Sequence, residues 1–408
     1  MPTHHSARSP LEPALLAHRA EFVQRFGGPP GQGAPSLFFS PGRVNLMGAH
    51  LDYNGGPVMP TAIDRGTFVA ARARADRRVR LASTLDGHAL EFELDRVPDT
   101  RRGAWSDYPL GVLREMLELA ELRGGTARLP GLDVLFGGNL PVGAGLSSSA
   151  SICVGAAFVL DRLWELSSER LDLVHVALRA ERGFVGVQCG IMDPFAVGLA
   201  RPGQLLWLDC RDTTWSWMPL DPNVYSIATA DTLVRRELAQ GAFNQRVAEC
   251  RAAFEALRRH QPDARCLRDV RIDVLDAHRA ELEPVLARRA EHVIHEVART
   301  FAARDALARR DPRGFGVQMT RAHASLRELF DVSVPELDLL VETAVDAPGV
   351  LGTRLTGAGF GGCTVILLER GAEEELEERL ARAFLPRFGK KPKVEVFAGD
   401  AGPREAAL

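Results

Sequence analysis

Apolar residues recur at helical spacing through LEPALLAHRAEFVQRF and stop at Gly27. This predicts an opening amphipathic helix closed by a glycine, after ten N-terminal residues expected to be disordered. The period then changes to two. TFVAARARA (67–75), VRLASTL (79–85) and HALEFELD (88–95) alternate apolar and polar positions as half-buried antiparallel strands do, and GLDVLFGGNLP adds a strand ending in a turn. Helical spacing returns from Ser149 to Leu166 and over 171–184, giving two helices placed to back that sheet. Strands at QLLWLDC (204–210) and SIATAD (226–231) precede a helix over 244–260. From 265 to 330 the chain is arginine-rich and reads as helical throughout, its charges expected to form solvated faces. Ser333 and Glu336 stand at capping-box spacing with Pro335 in the first turn, which predicts a helix over 335–345. The segments TRLTGAGFGGCTVILLE, EEELEERLARAF and KVEVFAG then give the strand, helix, strand order of an α+β half.

Composition adds bounds. With 408 residues, 46% hydrophobic and 25% charged, the chain is enzyme-sized and long enough for two cored domains, placed at 12–215 and 216–400. A formal net charge of -3 supplies no basic surface, so neither nucleic acid nor an anionic membrane is expected as a partner. Six cysteines lie far apart with no CxxC pair, which excludes a zinc-ribbon spacing and a disulfide framework and fits a reducing cytoplasm. The N-terminus lacks a continuous apolar core and no run of eighteen apolar residues occurs, so neither a signal peptide nor a membrane span is expected. The expected partner is a small molecule; the oligomeric state is left open, a monomer being the simpler expectation.

Four stretches carry candidate chemistry. In PVGAGLSSSASICVGAA a glycine loop and three serines precede an alanine-rich helix, whose free N–H groups and dipole suit phosphate; a serine N-cap after a tight turn is the plainer alternative. The Walker spacing GxxxxGK[ST] is absent. RLTGAGFGGC has four glycines in six residues before a strand, which permits close backbone approach to a ligand or marks only a turn. GVQCGIMDPF sets Asp193 among apolar residues, where an unpaired carboxylate is costly, and Arg43 in RVNLMGAHLDYNGG is a candidate partner. Glu181 closes a predicted helix and either holds magnesium or faces solvent.

Taken in order, GRVNLMGAHLDYNGG, PVGAGLSSSA, AERGFVGVQCGIMD and RLTGAGFGGC resemble the blocks of the galactokinase branch of the GHMP small-molecule kinases, and SVPELDLLV and GAFNQRVAEC resemble further segments of it. The resemblance spans roughly residues 12–398. It implies an α+β GHMP kinase fold of two domains, with mixed sheets backed by helices and the active site in the cleft between them. It also implies ATP-dependent phosphorylation of the anomeric C1 hydroxyl of galactose or a related galacto-configured sugar, with Mg2+. By the same resemblance Asp193 is the catalytic carboxylate, with Arg43 beside it. Pro141, Gly143, Ala144, Gly145, Leu146, Ser147, Ser148 and Ser149 cradle ATP, and Ser149 and Glu181 approach the metal. Ala49, His50, Asp52, Gly190 and Phe243 line the sugar, and Gly357, Gly359 and Gly361 close the site.

The chain departs from that pattern at four places. Ala49 stands where galactokinases carry Glu near the sugar's C6 hydroxyl, Phe243 replaces a sugar-contacting Tyr, Pro194 replaces Gln and Leu51 replaces Thr. The GAH block resembles that of galacturonokinases, so a C6 carboxylate is the alternative substrate feature. A non-catalytic sugar sensor is a further alternative, against which the intact serine loop, Arg43 and Asp193 argue.

Overall fold

The computed structural model describes residues 11–27, 33–141, 145–234 and 239–407. The ten residues expected to precede the first helix in a disordered state lie outside them. That helix, Leu11–Phe26, ends at Gly27, whose φ of 68° is a conformation that glycine adopts without strain.

Period-two alternation builds the first sheet. Six strands stand in the order Arg404–Ala406, Ser36–Asn45, Pro60–Ala73, Leu132–Gly138, Arg78–Ser83 and Asp86–Glu93, all antiparallel except the parallel pair formed by Leu132–Gly138 and Arg78–Ser83. Leu135 and Ala70 face the opening helix and meet Leu15, Phe22 and Phe26. Their neighbours Val134, Phe136, Val69 and Ala71 face the other way, against helices Asp107–Arg123, Ser148–Leu163 and Arg170–Arg179. Both faces are therefore covered. The arginines of TFVAARARA are not solvated as simple alternation implies: Arg72 and Arg74 converge with Arg80 on the fully buried Asp133, which offsets the cost of taking that carboxylate out of water.

The second sheet orders Val350–Leu355, Cys363–Glu369, Tyr225–Asp231 and Lys393–Phe397, all antiparallel. One face packs Ala228, Ala230, Ile366 and Leu368 on helices Pro335–Val345 and Glu373–Phe388. On the other, Ile227, Val365 and Leu367 join Phe315 and Met319 of the helix Pro312–Glu328 and Val44, Leu46 and Met47 from the end of the first sheet. One apolar cluster thus spans both halves of the chain and fixes the stretch after Arg43 against the second sheet. Among the described residues, no helix is long and apolar enough to cross a membrane.

Two sequence expectations need correction. The helix Pro335–Val345 forms as expected, but no side chain caps its N-terminus; the Ser333 hydroxyl donates instead to Asp338 Oδ1 at 2.5 Å. The arginine-rich region is helical over Ile272–His278, Pro284–Ala308 and Pro312–Glu328, yet its charges are not all solvated. Arg289, His292 and Glu296 are buried on one face of Pro284–Ala308, because that face lies under polar groups elsewhere in the chain that need partners.

Candidate active site

The strand Ser36–Asn45 shifts register between Pro41 and Gly42, an irregularity that re-aims the residues after it. Arg43, next in line, donates its backbone N–H to Leu146 O at 3.1 Å and lays its side chain into the interior. Its Nε reaches Asp193 Oδ1 and its Nη2 reaches Asp193 Oδ2, both at 2.7 Å, while Nη1 donates to Gly145 O at 2.7 Å. Asp193 occupies the first turn of the helix Met192–Gly198, the end that favours an anion. The Ser147 hydroxyl also donates to Asp193 Oδ2. Residues 150 positions apart thus meet in one charge-assisted, two-pronged pair, as the sequence reading expected of Arg43 and Asp193.

Ser147, with φ of 58°, turns the chain into the helix Ser148–Leu163. Within that helix Ser151 holds the helix to the sheet, donating to Ser40 O and sharing a hydrogen bond with Thr67 Oγ1. Of the expected phosphate loop, Gly143 and Ala144 lie outside the described residues. Pro141 is half-buried, Leu146 is buried, and Ser148 and Ser149 line a cavity of about 270 Å³ together with Trp105, Tyr108, Phe136, Leu140 and Ile152. The sequence reading missed this apolar wall because it missed the helix Asp107–Arg123. The spacing of Leu110, Leu113, Met116 and Ala120, all buried, is the signal that marks that helix.

Glu181 is buried in a single wide turn, Ala180–Val185, and no described group bonds its Oε2. Burial lifts its pKa to about 7; a hydrogen bond from Ser149 pulls the other way, and the charge of Asp193 adds to the rise. A buried carboxylate with one oxygen unbonded, beside Ser149 near a helix N-terminus, suits a hard divalent cation such as Mg2+.

On the other side of Asp193, the segment Gly48–Gly56 wraps a second lobe of the site. Asp52 stands against Gly190, where an added Cβ would come within 1.7 Å of Asp52 Oδ2, so only glycine fits there. His50 Nδ1 lies 2.8 Å from the Tyr53 hydroxyl, and its ring packs on Phe330 at 4.8 Å and on Phe243 at 5.9 Å. Burial, then the positive charge of Arg354, drives its pKa down to about 3, so the imidazole is neutral. Phe243 also meets Tyr53 edge to face at 5.6 Å. Beneath them Glu296 accepts from the backbone N–H groups of Gly48 and Ala49 at 3.3 and 3.2 Å and from Arg299 Nε at 2.7 Å, a support that motif reading did not find.

Asp52 yields a prediction. Burial and then the charge of Asp193 raise its pKa to about 6, above an unfolded value of about 3.9. The fold therefore disfavours the ionised form, with full cost above pH 6 and none below pH 4. Asp52→Asn should raise Tm at about pH 7.5, and the gain should shrink as the pH falls towards about 5. Paired melts at the two pH values check this; a gain independent of pH contradicts it.

The third glycine motif closes the ring. Gly357, with φ of 77°, meets Gly145 backbone to backbone; a Cβ on it would lie 3.2 Å from Gly145 Cα. A Cβ on Gly359 or Gly361 would strike the carbonyl of Val332 or Val234. The loop at Gly145 and the third glycine motif touch because neither carries a side chain at the contact. Of the described residues expected at the site, Arg43 and Ser147 bond Asp193, Asp52 stands against Gly190, Phe243 packs on His50, and Gly145 adjoins Gly357.

Matches to known proteins agree with this geometry. The GHMP kinases N terminal domain pattern covers residues 107–201, and the GHMP kinases C terminal pattern covers residues 303–387. The mevalonate kinase of Methanococcus jannaschii superposes with a TM-score of 0.62 over 91% of this chain and all of its own, at 17% identity, which shows the shared fold. The fold and the glycine-lined site thus define a small-molecule kinase of the GHMP class. The galactokinase galactose-binding signature matches residues 20–73. A galactokinase from Roseiflexus sp. is 43% identical over 94% of this chain and 95% of its own, and one from Enterococcus faecalis is 38% identical over 96% and 99%. The crystal structure of Lactococcus lactis galactokinase complexed with galactose superposes with a TM-score of 0.88 at 33% identity, over 96% of this chain and all of that one. The chain belongs to the galactokinase family and is an ATP-using sugar kinase.

Proposed function

We propose that the chain transfers the γ-phosphoryl group of ATP to the C1 hydroxyl of galactose or a closely related galacto-configured sugar, yielding the sugar 1-phosphate and ADP. The observation that carries this is the two-pronged Arg43–Asp193 pair between a sugar-signature lobe and a serine-lined helix N-terminus. Asp193 orients the C1 hydroxyl and receives its proton as the oxygen bonds to phosphorus and the bond from phosphorus to the departing ADP oxygen breaks. Arg43 fixes that carboxylate and offers positive charge where phosphoryl charge builds. The loop 141–149 holds the phosphates, and the cavity beside Trp105 and Tyr108 takes the base. Ser149 and Glu181 would hold Mg2+, which would supply charge neutralisation to the phosphates. Asp52 and His50 hydrogen-bond sugar hydroxyls, Gly190 leaves room for Asp52, and Phe243 packs an apolar face beside them. Gly357, Gly359 and Gly361 close the site. The two catalytic halves divide near residue 215, and the reaction runs in a reducing cytoplasm.

Galacturonate is a second reading with an observation in its favour. The family's Glu is absent at Ala49, and the charges gathered below Gly48 and Ala49 are those of Glu296, Arg299 and the buried Arg354, two cations against one anion. Arg299 Nη2 is buried with no hydrogen-bond partner among the described residues. Such an excess favours a carboxylate at C6.

The test is ADP release with ATP and Mg2+ against galactose, galacturonate, N-acetylgalactosamine, arabinose and glucuronate. A leading kcat/KM for galactose upholds the first reading, one for galacturonate the second. Silence across the panel with intact sugar binding overturns both in favour of a sensor.

A further inference from the structure

Away from the phosphoryl-transfer site, three side chains converge on the surface of the second half. His260 follows the helix Ala239–Leu257, His278 ends the helix Ile272–His278, and Glu281 lies in the turn Arg279–Glu281. His260 Nε2 lies 2.8 Å from Glu281 Oε2, and His278 Nδ1 lies 2.7 Å from Glu281 Oε1. The two imidazoles stack face to face, centroids 3.5 Å apart and planes within 12°. One potential ligand atom from each residue falls within 4.8 Å of the others, and among the described residues this is the one group of three histidine, cysteine or acidic side chains so disposed.

In the metal-free chain the near nitrogen of each ring donates to the Glu281 carboxylate, and a metal would take the place of those protons, each ring then carrying its proton on the far nitrogen. Two imidazole nitrogens and one carboxylate form the donor set of a three-ligand zinc site that keeps a fourth position for water. His278 and Glu281, three residues apart in a helical turn, project to one side, as metal ligands on helices do. The neighbouring Arg279 does not oppose a cation, since its guanidinium is taken up by Asp276 and Glu291.

We propose that His260, His278 and Glu281 form a surface site for a divalent transition metal of the zinc class, distinct from the magnesium site, that clips the end of one helix to the turn preceding Pro284–Ala308. The helix Ala239–Leu257 sets His260 roughly 20 Å from Phe243, so the clip acts on stability and not on chemistry.

The test uses the full chain, free of any histidine tag and stripped of metal. Zinc titrated calorimetrically should bind as one equivalent, and cobalt in its place should give visible ligand-field bands. His260→Ala/His278→Ala should lose both signals while keeping kcat/KM with Mg2+ and ATP. Glu281→Gln, a milder change, should weaken zinc without altering the metal-free Tm. A wild-type chain that takes up no zinc, or a double variant that binds it equally well, overturns the site.

Discussion

Asp193→Asn should lower kcat by about a thousandfold, within the range by which a positioned acid–base group accelerates a reaction. The change keeps size and one acceptor oxygen but removes the negative charge that Arg43 Nε and Nη2 both engage. ATP affinity should persist, because the serine loop and the cavity beside Trp105 are untouched. Equilibrium nucleotide binding, single-turnover kinetics and a melting curve separate the possibilities. Lost turnover with retained ATP binding and a folded chain supports the role; wild-type turnover removes Asp193 from the chemistry.

Ala49→Glu should separate neutral from acidic sugars. Two carboxylates about 4 Å apart at an effective dielectric near 20 repel by roughly 4 kcal/mol, on the order of a thousandfold in affinity. The variant should therefore lose galacturonate kcat/KM by up to that factor, while galactose is held or improved. The backbone N–H of Ala49 already binds Glu296, so the peptide that would carry the new side chain is fixed. The added charge would meet Arg299 and Arg354 and balance them. The ratio of kcat/KM for the two sugars is the measurement, and a ratio equal to that of the wild type refutes the C6 argument.

The opening helix, the alternating strands and the glycine-rich blocks were readable in the linear chain because each rests on local rules. Side chains three and four apart share a helix face, side chains two apart share a strand face, and glycine marks backbone that a Cβ would obstruct. Gly27 stops its helix where expected, and Gly145 and Gly357 lie where two stretches of backbone touch. Phe243, too, was singled out as a departure from the family pattern, and it packs on His50 and Tyr53.

Contacts between distant segments were not readable in this way. The capping-box spacing at Ser333 was a sound local pattern, yet Asp338 was near enough to take the hydroxyl. Arg289, His292 and Glu296 looked like members of a charged surface helix, and only packing shows them buried, Glu296 and His292 against Gly48 and Ala49 and Arg289 against Glu249 and Leu329 O. The same holds for the convergence of His260, His278 and Glu281. The sequence by itself indicated the family through its motifs, and fixed most of the elements and the residue types that carry the chemistry through local spacing. Tertiary structure alone decided which carboxylate meets which cation, which charges leave water and which helix walls the cavity beside Ser148 and Ser149, because burial and electrostatic pairing depend on distances between segments far apart in the chain.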